Sequence, residues 1–429
     1  MTLRMPALGA QAPEPALRTV RVGLLGCGIV GGGVADRLLR SRELGGIRFA
    51  LDRVLVRDLR KERFPPDVRE HLTASPDDVV ADDVDVVVEA IGGTDIAAAL
   101  VERALRRGKH VVTANKALIA EHGSRLAALA HAHGVALLSE AAVAGAIPVL
   151  RAIRASLAAE TIVEIAGVLN GTSNYILNDM ASGLTLADAL ADAQRLGYAE
   201  ADPSADVDGI DAARKLSILA ASAWGVEIVP SRFFCAGIRK LEPEDFALAR
   251  HLGLSIRLVA VARRAGDGFE AAVTPAYVQR QHEFALLDGP FNAVRVIGAH
   301  SGTLTFSGPG AGREATASAI IGDLVEIARS IAADRVPESA MPLTAHVHVA
   351  PLRAEMLIRV RGELDAARAA LRAHGVPARP LKAESALRTD PIAIDAFGAG
   401  PLHAVATVHI ASVYPLVAPG ESVTGPSGV

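Results

Sequence analysis

Two lysines are the residues of this sequence best suited to chemistry. Lys116 and Lys215 belong to a group of only six lysines among 44 basic residues, the others being arginine. Because lysine can give up its proton when it is buried and arginine effectively cannot, each lysine in an arginine-rich chain is a candidate for a role that needs a titratable group. Lys116 ends the run Thr113-Ala114-Asn115-Lys116 after a predicted strand, and Lys215 lies in an apolar helical stretch. Both are candidates for proton transfer.

Acidic residues surround the second lysine. Asp211 precedes Lys215 by one helical turn, so the two side chains are neighbours on one helix face. An acid beside a partly buried lysine is suited to proton transfer, although an ordinary surface ion pair has the same spacing. The preceding loop carries four further carboxylates, which are suited to binding a positively charged amino group of a substrate. They are Glu200, Asp202, Asp206 and Asp208.

A glycine-rich loop predicts a dinucleotide site near the start of the chain. The pattern Gly-x-Gly-x-x-Gly follows the β-type run Val20–Leu25 and precedes a helical stretch. In such a unit the glycines permit a tight turn and a close approach of the backbone to a pyrophosphate, and the helix N-terminus donates its amides. The residues predicted to contact the cofactor here are Gly26, Gly28, Ile29, Val30 and Gly31.

Residues after the neighbouring strands extend this prediction. Arg57 and Lys61 follow the second strand, where basic groups favour the 2′-phosphate of NADP(H), while Asp58 leaves NAD(H) open. Glycines at the carboxyl end of a parallel strand let a cofactor approach the backbone. Further predicted cofactor contacts are Gly92, Gly93, Thr94, Thr113 and Lys116.

The order of elements predicts an α/β fold. Strands alternate with helices of about 10 to 15 residues in the first third of the chain, which is typical of a Rossmann-type doubly wound parallel sheet. Beyond it, mixed strands and helices, including a predicted helix at Val149–Ala159, indicate an α+β domain and then a smaller α+β unit. The predicted division is a flexible tail (1–17), a cofactor domain (18–145), a second domain (146–342) whose residues 310–342 pack back on the first, and a final unit (343–429).

Composition narrows the class of protein. The 44 basic and 48 acidic residues leave a net charge of −4, which disfavours nucleic-acid and membrane-surface partners. No apolar run approaches the roughly 20 residues of a membrane span, and the first residues lack the apolar core of a signal peptide. Two cysteines cannot form a disulfide framework. We therefore expect a cytoplasmic protein that acts on a small molecule.

Five motifs together resemble the homoserine dehydrogenase family. The most specific is the segment 193–215, where Gly197-Tyr198 and Asp202-Pro203 precede the pattern Asp-x-x-Gly-x-Asp-x-x-x-Lys ending at Lys215. The resemblance also holds at 113–116, 140–148, 170–177 and 308–323, and covers about residues 18–340.

The resemblance implies the reversible NAD(P)H-dependent reduction of L-aspartate 4-semialdehyde to L-homoserine, a step of threonine, methionine and isoleucine biosynthesis. It implies that Lys215 is the proton donor and that Lys116 lies near the nicotinamide and the reacting oxygen. The substrate-binding residues that it implies are Glu200, Asp211, Gly171, Thr172 and Asp206.

The same resemblance implies a monovalent cation and a multi-domain assembly. A sodium or potassium ion would be held by Glu140, Val143, Gly145 and Ile147, which supply the hard oxygen ligands such a cation takes, and Gly310 would return to the cofactor. Residues 146–342 would form the catalytic and dimerisation domain of a homodimer or homotetramer, and residues 343–429 an ACT-like regulatory unit. Because the turn Arg361-Gly362-Glu363 lacks the Pro-Gly step of that module, inhibition by an amino-acid effector and a purely oligomeric role both stay open.

Two other functions stay open on the sequence alone. The first is an NAD(P)-dependent dehydrogenase of another amino-acid semialdehyde. The second is a sensor that binds a dinucleotide and an amino acid without turnover. The acids and both lysines of the motif are present, which favours the catalytic interpretation.

Overall fold

The computed structural model describes residues 19–41, 43–336, 347–381, 385–397, 402, 405–406 and 410–417. The predicted tail (1–17) lies outside these ranges. Within them, no helix combines the length and the apolar character needed to cross a membrane.

The first sheet is built from strands of the cofactor half. They are β1 (Val20–Leu25), β2 (Glu43–Leu44), β3 (Ile47–Leu55), β4 (Leu72–Thr73), β5 (Val86–Glu89), β6 (His110–Thr113) and β7 (Leu137–Leu138). The strand order is β2-β3-β1-β5-β6-β7, with β4 beside β3, and all pairs except β2 with β3 are parallel. Every residue of β5 is buried, as expected for a parallel strand covered on both faces. The predicted Rossmann-type sheet is confirmed.

Helices connect these strands and cover the sheet. They are α1 (Ile29–Arg40), α2 (Pro76–Val79), α3 (Asp95–Arg106) and α4 (Lys116–Ala132), with a 3₁₀ helix at Pro66–His71. A later helix also packs on this half: α11 (Arg313–Ala332) buries Ala317, Ile320 and Leu324 in the same core as Val34 of α1. The carboxyl ends of β1, β5 and β6 therefore open on one edge, where α11 begins.

A second sheet carries the rest of the molecule. Its strands from the middle of the chain are β8 (Ile162–Val168), β9 (Phe234–Cys235), β10 (Leu254–Ala265), β11 (Gly268–Gln279), β12 (Phe291–Gly298) and β13 (Gly302–Pro309). The later strands are β14 (Val349–Pro351), β15 (Arg353–Ala354), β16 (Met356–Val360), β17 (Ala378–Pro380), β18 (Ala386–Thr389), β19 (Ile392–Ala393) and β20 (Ile410–Val417). The order is β13-β12-β8-β10-β11-β20-β16-β18-β17, with β9 and β14 also on β11, and β15 pairs with β19 apart from it.

Helices pack against this sheet and place the site between the two halves. They are α5 (Val149–Arg151), α6 (Gly171–Ser182), α7 (Leu186–Arg195), α8 (Ser204–Val207), α9 (Ile210–Trp224), α10 (Pro243–His251) and α12 (Leu364–Ala373), with 3₁₀ turns at Glu140–Ala142 and Pro230–Arg232. Leu216 and Leu219 of α9 share one core with Ile176 of α6 and with strands β8 and β10. Helix α9 also contacts α4 of the cofactor half.

Two helix predictions differ from the structure. The predicted helix Val149–Ala159 is present but ends three residues earlier: α5 has three residues and continues directly into a π helix at Ala152–Ser156. The hydrogen bond from Leu157 N to Ala152 O widens the last turn and ends the helix there. Helix α6 was not predicted, because its first residues, Gly171-Thr172-Ser173-Asn174, have low helix propensity.

The last strands among the described residues extend the second sheet. Strands β20, β16, β18 and β17 are antiparallel neighbours, and β20 joins β11 in parallel. Asp245 of α10 is fully buried at this junction, where Arg359 Nε donates to it over 2.8 Å and Ser412 also donates. The final unit is thus attached by a continuous sheet and a buried ion pair.

Candidate active site

The two lysines meet at one buried carboxylate. Lys116 is the first residue of α4, and Lys215 lies in α9 one turn after Asp211. The Nζ atom of Lys215 lies 2.8 Å from Asp211 Oδ2, and Lys116 forms an ion pair with Asp211 Oδ1. Asp211 is 2% and Lys215 6% exposed, so the pair is not an ordinary surface ion pair. The side chain of Lys116 stays 42% exposed.

One side-chain amide holds the neighbouring acids. Asn170 accepts a hydrogen bond from Ser173 N and so caps α6. Its Nδ2 donates to Asp206 over 2.6 Å and to Asp211 over 2.8 Å. The start of α6 therefore fixes both carboxylates relative to Lys215. No role was predicted for Asn170 from the sequence, because the helix that it caps was not predicted either.

The charges in this group set its protonation. Burial disfavours the ionised form of Asp211, but the charges of Lys215 and Lys116 together outweigh burial and hold the pKa of that carboxyl well below its usual range. Burial lowers the pKa of Lys215, and Asp211 counteracts only part of that change. Burial raises the pKa of Asp206, and the negative charge of Asp211 raises it further. The group thus holds an ionised acid beside a lysine that releases its proton more readily than an exposed one.

The glycine loop opens on a cleft that Lys116 helps to line. Helix α1 starts after Gly28 with no acidic residue in its first turn, so its amide end is available to an anion. A methyl group at Gly31 would lie 2.1 Å from the carbonyl oxygen of Gly26, and Gly26 has a φ of 97°. Both glycines are therefore required. The cleft is lined by Ile29, Val30, Gly92, Gly93, Asn115 and Lys116 among others.

A buried glutamate that sequence analysis missed shapes the middle of this cleft. Glu89, at the end of β5, accepts hydrogen bonds from Ile91 N, Gly92 N and the hydroxyl of Thr113. Asn115 then donates to the Gly93 carbonyl over 2.6 Å. These bonds join the two loops that follow β5 and β6. A charged residue at the end of the apolar run of β5 is the signal that could have found it.

The predicted basic residues follow β3, which β1 separates from β5 and β6 in the sheet. Arg57 and Lys61 are both exposed after β3. Arg63, nearby, donates to the carbonyl oxygens of Cys27 and Asp58 and so joins this loop to the glycine loop. Lys116 follows β6, and strands β1 and β5 lie between β6 and β3, so Lys116 and these basic side chains are separated along the sheet edge, as the two ends of an extended dinucleotide require.

An arginine of α11 also reaches the glycine loop. The Arg313 guanidinium lies over the ring of Phe64, 4.4 Å from its centroid. The Cγ atom of Arg313 is so close to α1 that a methyl group at Gly33 would lie 2.7 Å from it. Gly310, before α11, was predicted from the sequence to contact the cofactor, but Arg313 was not.

The residues predicted to hold a cation form a buried loop. The carboxylate of Glu140 accepts hydrogen bonds from Leu150 N and Arg151 N over 2.8 and 2.7 Å. Asp323 of α11 accepts from Glu140 N and from Arg151. Burial, followed by the charge of Glu140, raises the pKa of Asp323 to about 7. The loop is further shaped by a positive φ at Ala144, 55°.

Only some of the residues predicted to bind the substrate lie next to the two lysines. Thr172 donates to the Tyr198 carbonyl over 2.6 Å and so joins the start of α6 to the loop that carries the acids. Gly171 packs on Pro290, whose carbonyl oxygen would lie 2.5 Å from a methyl group there. Glu200 lies on the exposed part of that loop. Asp206 and Asp211 are thus placed with the lysines, whereas the carboxylate of Glu200 faces solvent.

Comparison with known proteins agrees with this arrangement. Residues 26–140 match the family model "Homoserine dehydrogenase, NAD binding domain", and residues 148–325 match the model "Homoserine dehydrogenase". The homoserine dehydrogenase of Pseudomonas aeruginosa is 44% identical over 331 residues, which cover 76% of either chain.

Solved structures extend the similarity over most of the chain. A homoserine dehydrogenase from Thiobacillus denitrificans superimposes with a TM-score of 0.84 at 37% identity, over 94% of this chain and 99% of that one. A hyperthermophilic archaeal homoserine dehydrogenase in complex with NADPH superimposes with a TM-score of 0.62 at 26% identity, over 72% of this chain and 97% of that one.

Proposed function

Since the chain belongs to the homoserine dehydrogenase family, we propose that it catalyses the reversible NAD(P)H-dependent reduction of L-aspartate 4-semialdehyde to L-homoserine. It is an oxidoreductase that uses a nicotinamide dinucleotide. The observation that carries the proposal is the group of Lys116, Asp211 and Lys215 at the edge of a dinucleotide cleft.

The lysines divide the chemistry between them. The nicotinamide, when bound, supplies the hydride for the aldehyde carbon. Reduction leaves negative charge on the former carbonyl oxygen, which requires positive charge beside it and a proton. Lys215 donates that proton from Nζ, since burial has lowered its pKa. Lys116 lies on the open side of the group and holds the oxygen by its charge. In the reverse direction neutral Lys215 accepts the proton.

Acids beside the lysines suit the amino group of the substrate. Asp206 is half-buried next to Asp211, and we propose that it binds the substrate ammonium together with Glu200 after the exposed loop closes over it. Gly171 and Thr172 line the same approach at the start of α6. Asp211 faces two ammonium groups, so its contribution to substrate binding runs through the lysines that it positions.

The cofactor preference we propose is NADP(H) over NAD(H). Support comes from the exposed Arg57 and Lys61 at the end of β3, where a 2′-phosphate would lie. Asp58 follows Arg57 directly and can accept from ribose hydroxyls when NAD(H) binds. Gly26, Gly28, Gly31 and the other glycines of the cleft admit the pyrophosphate.

A monovalent cation in the loop 140–147 is a further part of the proposal. In the described residues the carbonyl oxygens of Val143 and Gly145 accept no backbone hydrogen bond, so they remain available to a cation such as Na⁺ or K⁺. Glu140 keeps lone pairs beyond those used by Leu150 and Arg151. Replacing both ions by tetramethylammonium should lower kcat, and adding either one back should restore it.

The remaining proposals concern the whole chain. We keep the division into a tail (1–17), cofactor domain (18–145), catalytic and dimerisation domain (146–342) and ACT-like unit (343–429), in a cytoplasmic homodimer or homotetramer. The order β20-β16-β18-β17, with α12 between β16 and β17, supports the ACT-like unit because it is the order of a split β-α-β fold. An amino-acid effector of this unit stays a proposal.

Turnover by the purified chain tests the function. NADPH oxidation is followed on addition of L-aspartate 4-semialdehyde, with Lys215→Ala as the inactive variant and exposed Lys240→Ala as its matched control. Rapid turnover that is lost only in Lys215→Ala supports the assignment. Turnover with L-glutamate 5-semialdehyde instead would favour the other dehydrogenase, and NADPH binding without turnover on either aldehyde would favour the sensor.

A further inference from the structure

A buried asparagine outside the predicted site contacts the backbone that holds the proton donor. Asn292, the second residue of β12, is fully buried. Its Nδ2 donates to the Leu169 carbonyl over 2.9 Å, and the same carbonyl accepts from Lys215 Nζ over 2.7 Å. Because a carbonyl can only accept, it fixes the amide orientation. Asn292 Oδ1 is then left without a hydrogen-bond partner among the described residues.

The other face of the same amide supports the loop that follows β13. A methyl group at Gly310 would lie 2.3 Å from both Cγ and Oδ1 of Asn292. From the opposite side, a methyl group at Gly145 would lie 2.6 Å from the backbone carbon of Gly310. Gly310 is therefore held between Asn292 and the loop that carries Gly145. The chain runs on from Gly310 into Gly312, the N-cap of α11.

We propose that Asn292 is a positioning residue that couples the loop at Gly310 to the proton donor Lys215. The inference rests on the proposed function, because it takes Lys215 as the donor and the loop as part of the cofactor cleft. Asn292 touches neither substrate nor cofactor in this arrangement. It acts through Leu169 on one side and through Gly310 on the other.

The shared carbonyl gives this coupling a direction. A carbonyl that accepts from two donors attracts each one less strongly than it would attract a single donor. When the Asn292 donor is removed, Leu169 attracts the Lys215 ammonium more strongly and stabilises its protonated form. The pKa of Lys215 should rise, and the ammonium should be held back from the substrate. The basic limb of the reduction profile then moves to higher pH while kcat falls.

Two substitutions at Asn292 distinguish the effect of its hydrogen-bond donor from the effect of its side-chain volume. Asn292→Leu keeps a similar volume but lacks the donor, so kcat should fall roughly five- to tenfold with the basic limb displaced upward and KM for NADPH little changed. Asn292→Ala removes donor and bulk. Asn178→Ala, which removes a half-buried amide that bonds to the Leu287 carbonyl, is the matched control and should leave the pH profile unchanged.

The Gly310 contact is tested by combining substitutions. Gly310→Ala should weaken NADPH binding roughly tenfold or more, because its methyl group overlaps Asn292. Asn292→Ala with Gly310→Ala should recover most of that loss, whereas Asn292→Leu with Gly310→Ala should not. Binding is measured by titration of NADPH fluorescence, which does not require turnover. Asn292→Ser, which opens similar space with a polar side chain, replaces Asn292→Ala if that variant does not fold.

The results of these experiments distinguish a failure of the coupling by Asn292 from a failure of the proposed function. Lack of turnover in the unmodified chain would overturn the proposed function. Normal turnover combined with multiplicative losses in the double variant would overturn the Gly310 contact. An Asn292→Leu variant with an unchanged basic limb would overturn the link to Lys215. Recovery in the double variant together with the shifted limb supports the coupling.

Discussion

Replacement of Asp211 by asparagine should narrow the pH range of the reductive reaction. Burial lowers the pKa of Lys215, and Asp211 is the group that counteracts this effect most strongly. Asparagine keeps the size of the side chain but removes its charge. The positive charge of Lys116 then lowers the pKa of Lys215 without opposition from Asp211. Since reduction needs Lys215 protonated, activity should be lost at a lower pH than in the unmodified chain.

The size of the shift follows from the distance between the charges. Lys215 Nζ and Asp211 Oδ2 lie 2.8 Å apart, and two unit charges at that distance attract by roughly 6 kcal/mol at an effective dielectric constant of about 20. The amide oxygen of asparagine retains part of that attraction. Even a third of the energy, about 2 kcal/mol, corresponds to a change of about 1.5 pKa units. The basic limb should therefore move to lower pH by more than one unit (about 1.5).

The assay is kcat/KM against pH in both directions. Oxidation of L-homoserine needs neutral Lys215, so the same variant should extend that activity to lower pH. Asp208→Asn is the control, because Asp208 pairs with Arg239 at the rim instead of with a lysine. If folded Asp211→Asn protein loses activity with its basic limb in the original place, then Asp211 does not set the protonation of Lys215.

Three further substitutions test separate parts of the structure. Arg57→Ala should raise KM for NADPH roughly tenfold and leave KM for NADH unchanged, as measured by steady-state kinetics with both cofactors; an equal rise for both would contradict the 2′-phosphate assignment. Arg313→Ala should weaken NADPH and NADH alike by several-fold in fluorescence titrations, because its guanidinium lies beside α1 near the pyrophosphate end; a loss confined to NADPH would contradict this. Asp245→Ala should destabilise the chain by about 2 kcal/mol, since it removes a buried carboxylate that accepts from Arg359, Ser412 and Glu242 N and leaves Arg359 paired with Glu242 alone; calorimetry checks this against Asp365→Ala, at an exposed carboxylate of α12, and equal melting temperatures would refute it.

The cofactor half was predictable because its signals are local. The apolar run of β5 predicts a buried parallel strand, and the glycines after β1 predict a dinucleotide loop; both patterns lie within a few consecutive residues. The sequence also placed Lys215 and Asp211 together, because one helical turn separates them. The length of the helix predicted at Val149–Ala159 was overestimated, because the helical segment ends with the π helix Ala152–Ser156.

The polar groups that complete the site were not predictable in the same way. Asn170 meets Asp211 across 41 positions of sequence, and Asn292 meets Leu169 across 123. Only folding brings such partners together, and an isolated asparagine in a sequence looks like any turn or cap residue. Lys109 shows that a buried lysine in this arginine-rich chain is not always part of the candidate site. It is 7% exposed, but it donates to the carbonyl oxygens of Asp82 and Val84 and only closes a loop.

The arrangement of charge explains why one acid is shared by two lysines. A single lysine beside Asp211 would form a neutral pair with no excess positive charge for a developing oxyanion. Lys116 and Lys215 together carry one positive charge more than Asp211 alone neutralises, and Lys116 lies on the open side. The transferable proton lies on the buried side, where burial lowers the pKa of Lys215. Arginine at position 116 could supply the charge, but arginine at position 215 could not supply the proton. In the proposed mechanism, attraction of the oxyanion and delivery of the proton therefore fall to different lysines, and Asp211 keeps both in place.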